Sequence, residues 1–111
     1  MTARKDSSPR GEQLLAILAA LASPHRMRIV AALEGGGRNY VSQIARELGM
    51  SRPLLHLHLQ KLEDAGIVTS RLELSDSGKA HNYYEVVDLH IELTPATIAA
   101  AAKSLKPPTE K

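Results

Sequence analysis

The sequence predicts a single, mainly α-helical domain that carries one β-hairpin. Three observations lead to this prediction. Apolar residues recur at helical spacing in successive segments before residue 66, strand-forming residues flank a polar tip after it, and helical spacing returns near the end. With 43% hydrophobic and 23% charged residues, the 111-residue chain has the composition of a globular protein.

This length fits one domain and excludes a multi-domain enzyme. We expect the domain to span residues 11–105, between polar, mobile tails at residues 1–10 and 106–111. The chain has no cysteine, which excludes disulfide bonds and thiolate metal ligands. The net charge of +2 and the isoelectric point of about 9.1 favour an anionic partner only weakly.

The N-terminal segment superficially resembles a secretory signal, because basic residues precede the apolar run 14–22. Acidic residues at Asp6 and Glu12 argue against that interpretation. No other apolar stretch approaches the roughly 20 residues that cross a bilayer. We therefore expect a cytoplasmic protein with no membrane partner.

The first two helices are predicted from an apolar run and a cap. Nearly every residue from Gln13 to Ala22 is apolar, which predicts a first helix that is buried on all sides. Ser23 is a good N-cap and Pro24 fits the first helical position. The second helix should therefore run to about Glu34, where the glycines 35–37 end it.

The third and fourth helices are the most regular part of the pattern. One apolar face with spacing i, i+3, i+4 and i+7 predicts the third helix, at Val41, Ile44, Ala45 and Leu48. Gly49 ends this helix, and Ser51 caps a fourth helix that has Pro53 in its first turn and runs to Ala65, before Gly66. Two short helices joined by a tight turn form a helix-turn-helix.

The remaining chain predicts a hairpin and one more helix. Residues 67–74 and 80–87 are strand-like and flank the polar tip 75–79. Residues 88–93 alternate between apolar and polar, and Thr94-Pro95 then offers a cap and first turn for a last helix with apolar residues at Ile98, Ala99, Ala102 and Leu105. The predicted fold is mainly α with a β-hairpin wing, which is a winged helix-turn-helix.

The fourth helix has a polar side that suits DNA. At 100° per residue, one side carries Arg52, His56, Gln60 and Glu63, and the core side carries Leu54, Leu55, His58, Leu59 and Leu62. The second helix of a helix-turn-helix enters the major groove, so we expect double-stranded DNA as the partner. The predicted contacts from this helix are Ser51, Arg52, Pro53, His56, Leu57, Gln60 and Lys61.

Leu57 and His58 differ from the other residues of the fourth helix in their predicted roles. Leu57 is an apolar residue within the polar face, and it either touches a thymine methyl group or packs under the hairpin. His58 points to the core side, which favours a buried, hydrogen-bonded histidine over a ligand role.

In the hairpin, Arg71 and Lys79 suit contacts with the DNA backbone or minor groove, and the alternative is that they are ordinary charged residues exposed to solvent.

Two segments resemble the ArsR/SmtB family: residues 21–33, with the run Ala-Ser-Pro-His-Arg-Met-Arg-Ile-Val, and residues 44–68, which end in His-Leu-Gln-Lys-Leu-Glu-Asp-Ala-Gly-Ile-Val. The resemblance covers approximately residues 14–105. It implies a winged-helix homodimer, usually a repressor, that dimerises through its first and last helices and whose DNA affinity responds to a metal.

The metal sites of that family are not fully matched here. Where the family has a Cys-x-Cys pair, this chain has Tyr40 and Ser42. Asp88 and His90 match the first half of the family's second site, but the positions eleven and fourteen residues beyond that histidine hold Ala101 and Ser104.

Asp88 and His90 are nevertheless the candidate metal ligands. Their oxygen and nitrogen donors suit nickel, zinc or cobalt rather than soft metals. A useful site needs further donors, from His81, Glu85 or Glu92, from the other subunit, or from a separate metal-binding co-regulator.

No catalytic motif appears, since the glycines 35–37 lie between helices without a P-loop lysine, and neither H-E-x-x-H nor G-x-S-x-G occurs. We therefore expect no enzyme but a homodimeric transcriptional regulator that binds an imperfect palindrome. The alternative is a winged-helix module that binds another protein, with DNA binding or metal sensing dependent on that partner.

Overall fold

The computed structural model describes residues 9–107 and confirms the mainly α-helical architecture with a β-hairpin wing. The elements within the described residues are α1 (Gly11–Leu21), α2 (Pro24–Gly36), β1 (Asn39–Tyr40), α3 (Val41–Leu48), α4 (Arg52–Asp64), β2 (Val68–Leu74), β3 (Ala80–Val86) and α5 (Pro95–Ala102). Most of the two predicted tails, residues 1–8 and 108–111, lies outside the described residues.

Local capping chemistry sets the helix starts as the sequence predicts. The Ser23 hydroxyl accepts a hydrogen bond from the Arg26 N–H at 3.3 Å, and the Ser51 hydroxyl accepts one from the Leu54 N–H at 3.3 Å. A proline occupies the first turn of α2 and of α4. The helix α2 ends later than predicted, because of the three glycines at 35–37 only Gly37 has a positive φ, at 81°. The Gly37 N–H still bonds the Leu33 carbonyl.

The hairpin belongs to a three-stranded antiparallel sheet in the order β1-β3-β2. Strands β2 and β3 pair from Val68 opposite Val86 to Leu74 opposite Ala80. The two-residue strand β1 pairs Tyr40 with Tyr83. The strand β1 was not predicted from the sequence, because a strand of two residues has no periodicity.

The core lies where α1 to α4 meet the base of the hairpin. Its fully buried side chains are Ile29, Leu33, Ile44, Leu55, Leu59, Leu62, Ile67 and Val68. Leu54 was expected in this core but is 39% exposed. The buried stripe of α4 is centred on Leu55, Leu59 and Leu62, so Leu54 lies at the edge of the stripe, where solvent reaches it.

The helix α1 is not buried on all sides within one chain. One stripe is buried, at Gly11, Leu14, Ile17 and Ala20, while Leu15 is 55% exposed and Leu18 is 39% exposed. Within the described residues, neighbours cover only one side of α1, so burial on all sides stays a prediction that requires a second chain. The helix α5 has no buried residue, and Ile98 is 47% exposed.

The segment before α5 and the end of α5 differ from the sequence pattern. Residues 87–94 have no regular secondary structure, so the alternation at 88–93 does not produce a strand. A capping box starts α5, in which the Thr94 hydroxyl accepts from the Thr97 N–H and the Thr97 hydroxyl accepts from the Thr94 N–H. The helix ends at Ala102, so Leu105 lies beyond it.

The start of α1 and the chain after α5 form a close joint. The Gly11 N–H donates to the Ser104 hydroxyl oxygen at 2.7 Å, and that hydroxyl donates to the Ala101 carbonyl at 2.9 Å. A Cβ atom at Gly11 would stand 2.5 Å from the Ala101 carbonyl oxygen and 2.6 Å from the Leu105 side chain. Only glycine allows this approach, so the joint ties the two ends of the described domain together.

No single helix among the described residues is long and apolar enough to cross a membrane. The helices α1 and α2 reach that length and hydropathy only as a pair, and they are bent by 93° relative to each other.

Candidate DNA interface

The turn between α3 and α4 sets the orientation of the candidate recognition helix. Gly49 has a φ of 64° and ends α3 in the left-handed conformation, which glycine adopts readily. The Met50 N–H then bonds the Ala45 carbonyl at 3.0 Å, and Ser51 caps α4. Because Leu55, Leu59 and Leu62 are fully buried, the opposite side of α4 must face outward.

All of the contacts predicted from α4 lie on its exposed surface, namely Ser51, Arg52, Pro53, His56, Leu57, Gln60 and Lys61. Two of them are partly engaged by hydrogen bonds within the chain. Ser51 uses an oxygen lone pair in the cap, and the Gln60 side-chain amide donates to the Asp64 carboxylate at 2.8 Å. Leu57 is 58% exposed, which does not fit the alternative in which it packs under the hairpin.

Cations surround this outward face. Arg46 and Arg52 are exposed and line a shallow depression between α3 and α4, and Lys61 lies two turns further along α4. Within residues 9–107, the salt bridges found involve other side chains and leave Arg46, Arg52 and Lys61 without an ion-pair partner. Their charges are therefore available to an anionic ligand.

The neighbouring carboxylates are engaged by hydrogen bonds. The Glu47 carboxylate accepts from the amides of Gln43 at 3.2 Å and Asn39 at 3.5 Å. The Glu63 carboxylate accepts from the Ser70 hydroxyl at 2.9 Å, which joins the end of α4 to β2. These contacts direct the acidic groups to partners within the chain.

The wing brings Arg71 and Lys79 to the surface, as predicted. Arg71 lies on β2, and its guanidinium is 3.9 Å from the Glu73 carboxylate. Lys79 lies at the end of the hairpin tip, where its N–H donates to the Ser75 hydroxyl and its carbonyl accepts from the Ser75 N–H at 2.7 Å. The tip therefore has a fixed backbone, and both cationic side chains are exposed.

A cluster on the outer face of the sheet was missed by the sequence analysis. The guanidinium of Arg38 lies 4.4 Å from the ring centre of Tyr83 and 2.9 Å from the Glu73 carboxylate. Tyr40 contacts Tyr83 and His81, with ring centres 5.4 Å and 4.7 Å apart. No sequence signal reveals this cluster, because it depends on the pairing of β1 with β3.

His58 links α4 to α2 behind the candidate interface. Its Nδ1 atom accepts from Arg26 Nε at 3.2 Å, and Arg26 also donates to the Ala20 carbonyl at 3.3 Å. The ring is half-buried, and its Nε2 atom is buried without a partner among the described residues. Burial, reinforced by the charges of Arg26 and His25, lowers the pKa of His58.

Asp88 and His90 do not form a complete metal site within one chain. Both are exposed on the irregular segment 87–94, and no cluster of three or more potential ligands occurs in the described part of the chain. The two positions where the family has its remaining ligands hold Ala101, which has no donor side chain, and Ser104, whose hydroxyl is bonded to the Gly11 N–H at the start of α1 and to the Ala101 carbonyl. The residues of a single chain therefore do not fit the metal that the family resemblance implies.

Comparison with known proteins gives the class of this fold. Residues 21–71 match the family described as a helix-turn-helix domain. One similar structure is the solution structure of a homodimeric winged helix-turn-helix DNA-binding domain from Mycobacterium bovis, a possible ArsR-family regulator. It matches this chain with a TM-score of 0.61 and 24% sequence identity, and the match covers 93% of this chain and 85% of that one. A transcriptional regulator homologue from Pyrococcus horikoshii has a TM-score of 0.58 and 23% identity, covering 83% and 85%.

The chain is thus a winged helix-turn-helix protein. An uncharacterized HTH-type transcriptional regulator of Methanocaldococcus jannaschii is 43% identical over 58 residues, which are 52% of this chain. The chain spans 60% of the length of that relative. These similarities are to transcriptional regulators, and they show the winged helix-turn-helix fold of this chain.

Proposed function

We propose that the protein is a DNA-binding transcriptional regulator that inserts α4 into the major groove. The observation that carries this proposal is the outward surface of the helix-turn-helix, where Arg46 of α3 and Arg52 and Lys61 of α4 are exposed without ion pairs among the described residues. A polyanion would neutralise these charges at little desolvation cost. In this proposal Arg52 and His56 reach base edges, while Lys61, Arg71 and Lys79 contact the backbone.

The regulator acts as a homodimer in this proposal. The apolar side chains Leu15 and Leu18 on α1 and Ile98 on α5 are only partly covered by the described residues. The joint at Gly11 makes α1 and the end of α5 one packed unit, so a second copy can cover both helices together. The homodimeric state of the Mycobacterium bovis domain supports this assignment.

Two copies related by a two-fold axis present two recognition helices. The expected target is an imperfect palindrome with half-sites about one helical turn, or roughly 10 bp, apart. The domain would comprise residues 11–105, since the hydrogen bond from Gly11 to Ser104 joins its two ends. A cytoplasmic location fits this role and stays a prediction.

The direct test selects binding sites from a randomised duplex pool with the full chain and measures affinity at several salt concentrations. Affinity should fall steeply as salt rises. Arg52→Ala should cost about 1–3 kcal/mol and relax sequence preference, whereas Arg71→Ala should weaken all sequences alike. Arg10→Ala removes the same charge from an exposed site at the start of α1 and serves as the matched control.

The outcome separates this function from the alternative. If Arg52→Ala changes neither affinity nor sequence preference, the assignment of α4 to the major groove is wrong. If the wild-type protein binds no duplex even at low salt, a winged-helix module that docks on another protein is favoured.

Metal sensing is a separate proposal that rests on Asp88 and His90. Because one chain offers only these two donors on the segment 87–94, nickel or zinc would need donors from the second subunit or from a metal-binding co-regulator. Titration calorimetry with the dimer should then give binding that His90→Ala removes, because the substitution deletes the imidazole donor. Unchanged binding in His90→Ala would eliminate this site.

A further inference from the structure

We propose that Leu57 is a sequence-reading residue that contacts the C5-methyl group of a thymine in the major groove. A T·A pair would then be preferred at one fixed position of each half-site. This inference rests on the proposed DNA-binding function and states which base Leu57 selects.

Leu57 lies on the outward side of α4. The fully buried residues Leu55, Leu59 and Leu62 define the inner side of the helix, and at 100° per residue Leu57 falls near the middle of the opposite side. Its side chain is 58% exposed. The hairpin meets α4 near its end, where Ser70 bonds Glu63, so it leaves Leu57 open.

Leu57 and Pro53 give the outward face of α4 an apolar centre. Pro53 lies one turn before it and also has no hydrogen-bond donor. Gln60 lies beside it, but the amide of that residue already donates to Asp64 at 2.8 Å. The groups free to make polar base contacts, Arg52 and His56, lie to one side. Leu57 and Pro53 therefore form an apolar centre that polar groups surround, and Lys61, one turn after Leu57, is one of them.

The chemistry of the major groove identifies what this apolar centre fits. Among the four bases, only thymine presents a methyl group in that groove, at its C5 atom. Contact with this group removes apolar surface of both partners from water, which is favourable. The unpaired cations that flank the face, Arg46, Arg52 and Lys61, favour a polyanion over an apolar protein surface as its occupant.

Replacement of thymine by deoxyuridine tests the inference, because it removes the methyl group and keeps the base-pairing edge. Each conserved thymine of the selected site is replaced in turn in synthetic duplexes. At the thymine that Leu57 contacts, the wild-type protein should lose about fourfold in affinity per half-site, the value of one buried methyl group. Replacement at the other thymines should have less effect.

Variants of the protein assign that loss to Leu57. Leu57→Ala should bind the thymine and deoxyuridine duplexes equally, and Leu57→Met should retain the thymine preference because it keeps an apolar side chain of similar length. Leu72→Ala is the matched control, since Leu72 is 66% exposed but lies on β2 of the wing. This control should retain the full preference for thymine.

Each result distinguishes the inference from the function on which it rests. If the wild-type protein selects a DNA site but binds it equally well after every deoxyuridine replacement, the inference is overturned and the DNA-binding function stands. A Leu57→Ala variant that still prefers thymine also overturns the inference. If no duplex is selected at all, the proposed function fails and the role of Leu57 fails with it.

Discussion

The helices α4 and α5 start in the same way but differ in what covers them. Each begins with a hydroxyl cap followed by a proline, Ser51 for α4 and Thr94 for α5. The helix α4 buries a stripe of three leucines completely, whereas α5 buries no residue. Capping and apolar content therefore determine that a helix forms, but they do not determine whether its own chain or a second chain covers it.

Removing one apolar side chain from α4 and one from α5 should produce the largest difference in stability. Leu59→Ala opens a cavity in the core and should lower the free energy of unfolding by about 2–5 kcal/mol. Ile98→Ala removes a half-exposed side chain and should act mainly on dimerisation. Urea denaturation at one fixed protein concentration measures the first effect, and light scattering across a dilution series measures the second.

Equal destabilisation by the two variants, with no change in the dimer, would contradict the contrast between α4 and α5. It would mean that α5 is as strongly packed within its own chain as α4.

A smaller effect is expected at the joint between α1 and α5. Gly11→Ala places a Cβ atom 2.5 Å from the Ala101 carbonyl oxygen, so the two helices must move apart. Overpacking of this kind costs about 1–3 kcal/mol, although alanine is the better helix former. Gly35→Ala is the control, because nothing lies within 4 Å of a Cβ atom at that residue. If the two variants unfold alike, the close approach at Gly11 is not needed.

The smallest expected effect concerns pH and the contact between α2 and α4. The folded pKa of His58 lies below its ordinary value of 6.5, through burial and then the charges of Arg26 and His25, so the unfolded chain binds the proton more readily. Stability should be full above about pH 6.5 and should decline as pH falls through the interval down to the folded pKa. The free energy of unfolding measured from pH 8 to pH 5 checks this direction.

Two glutamine variants identify the group responsible. His58→Gln should flatten this part of the pH profile, while His56→Gln, at an exposed residue of the same helix, should leave it unchanged. Profiles for wild type and His58→Gln that run parallel would assign the pH dependence to another group.

The sequence predicted features that depend on neighbouring residues. The caps at Ser23, Ser51 and Thr94 and the glycine that ends α3 act within one turn of chain, so each could be identified from local pattern. The outward position of the candidate DNA-contacting residues also followed from the helical repeat, except that Leu54 at the edge of the stripe was misassigned.

Features that depend on distant pairing were not predictable in this way. The strand β1 and the cluster of Arg38 with Tyr83 exist because residue 40 lies opposite residue 83. The partial exposure of α1 also escaped prediction, because an all-apolar helix indicates burial without indicating which chain provides the cover.

The central claim is that α4 is a recognition helix presented twice by a symmetric dimer. The most direct measurement is the affinity of the wild-type protein for the selected palindrome in a series of duplexes that vary only in half-site spacing. Affinity should be highest when the half-site centres are about one helical turn, or roughly 10 bp, apart, and it should fall steeply when they are half a turn further apart. An affinity that does not depend on spacing would contradict this claim.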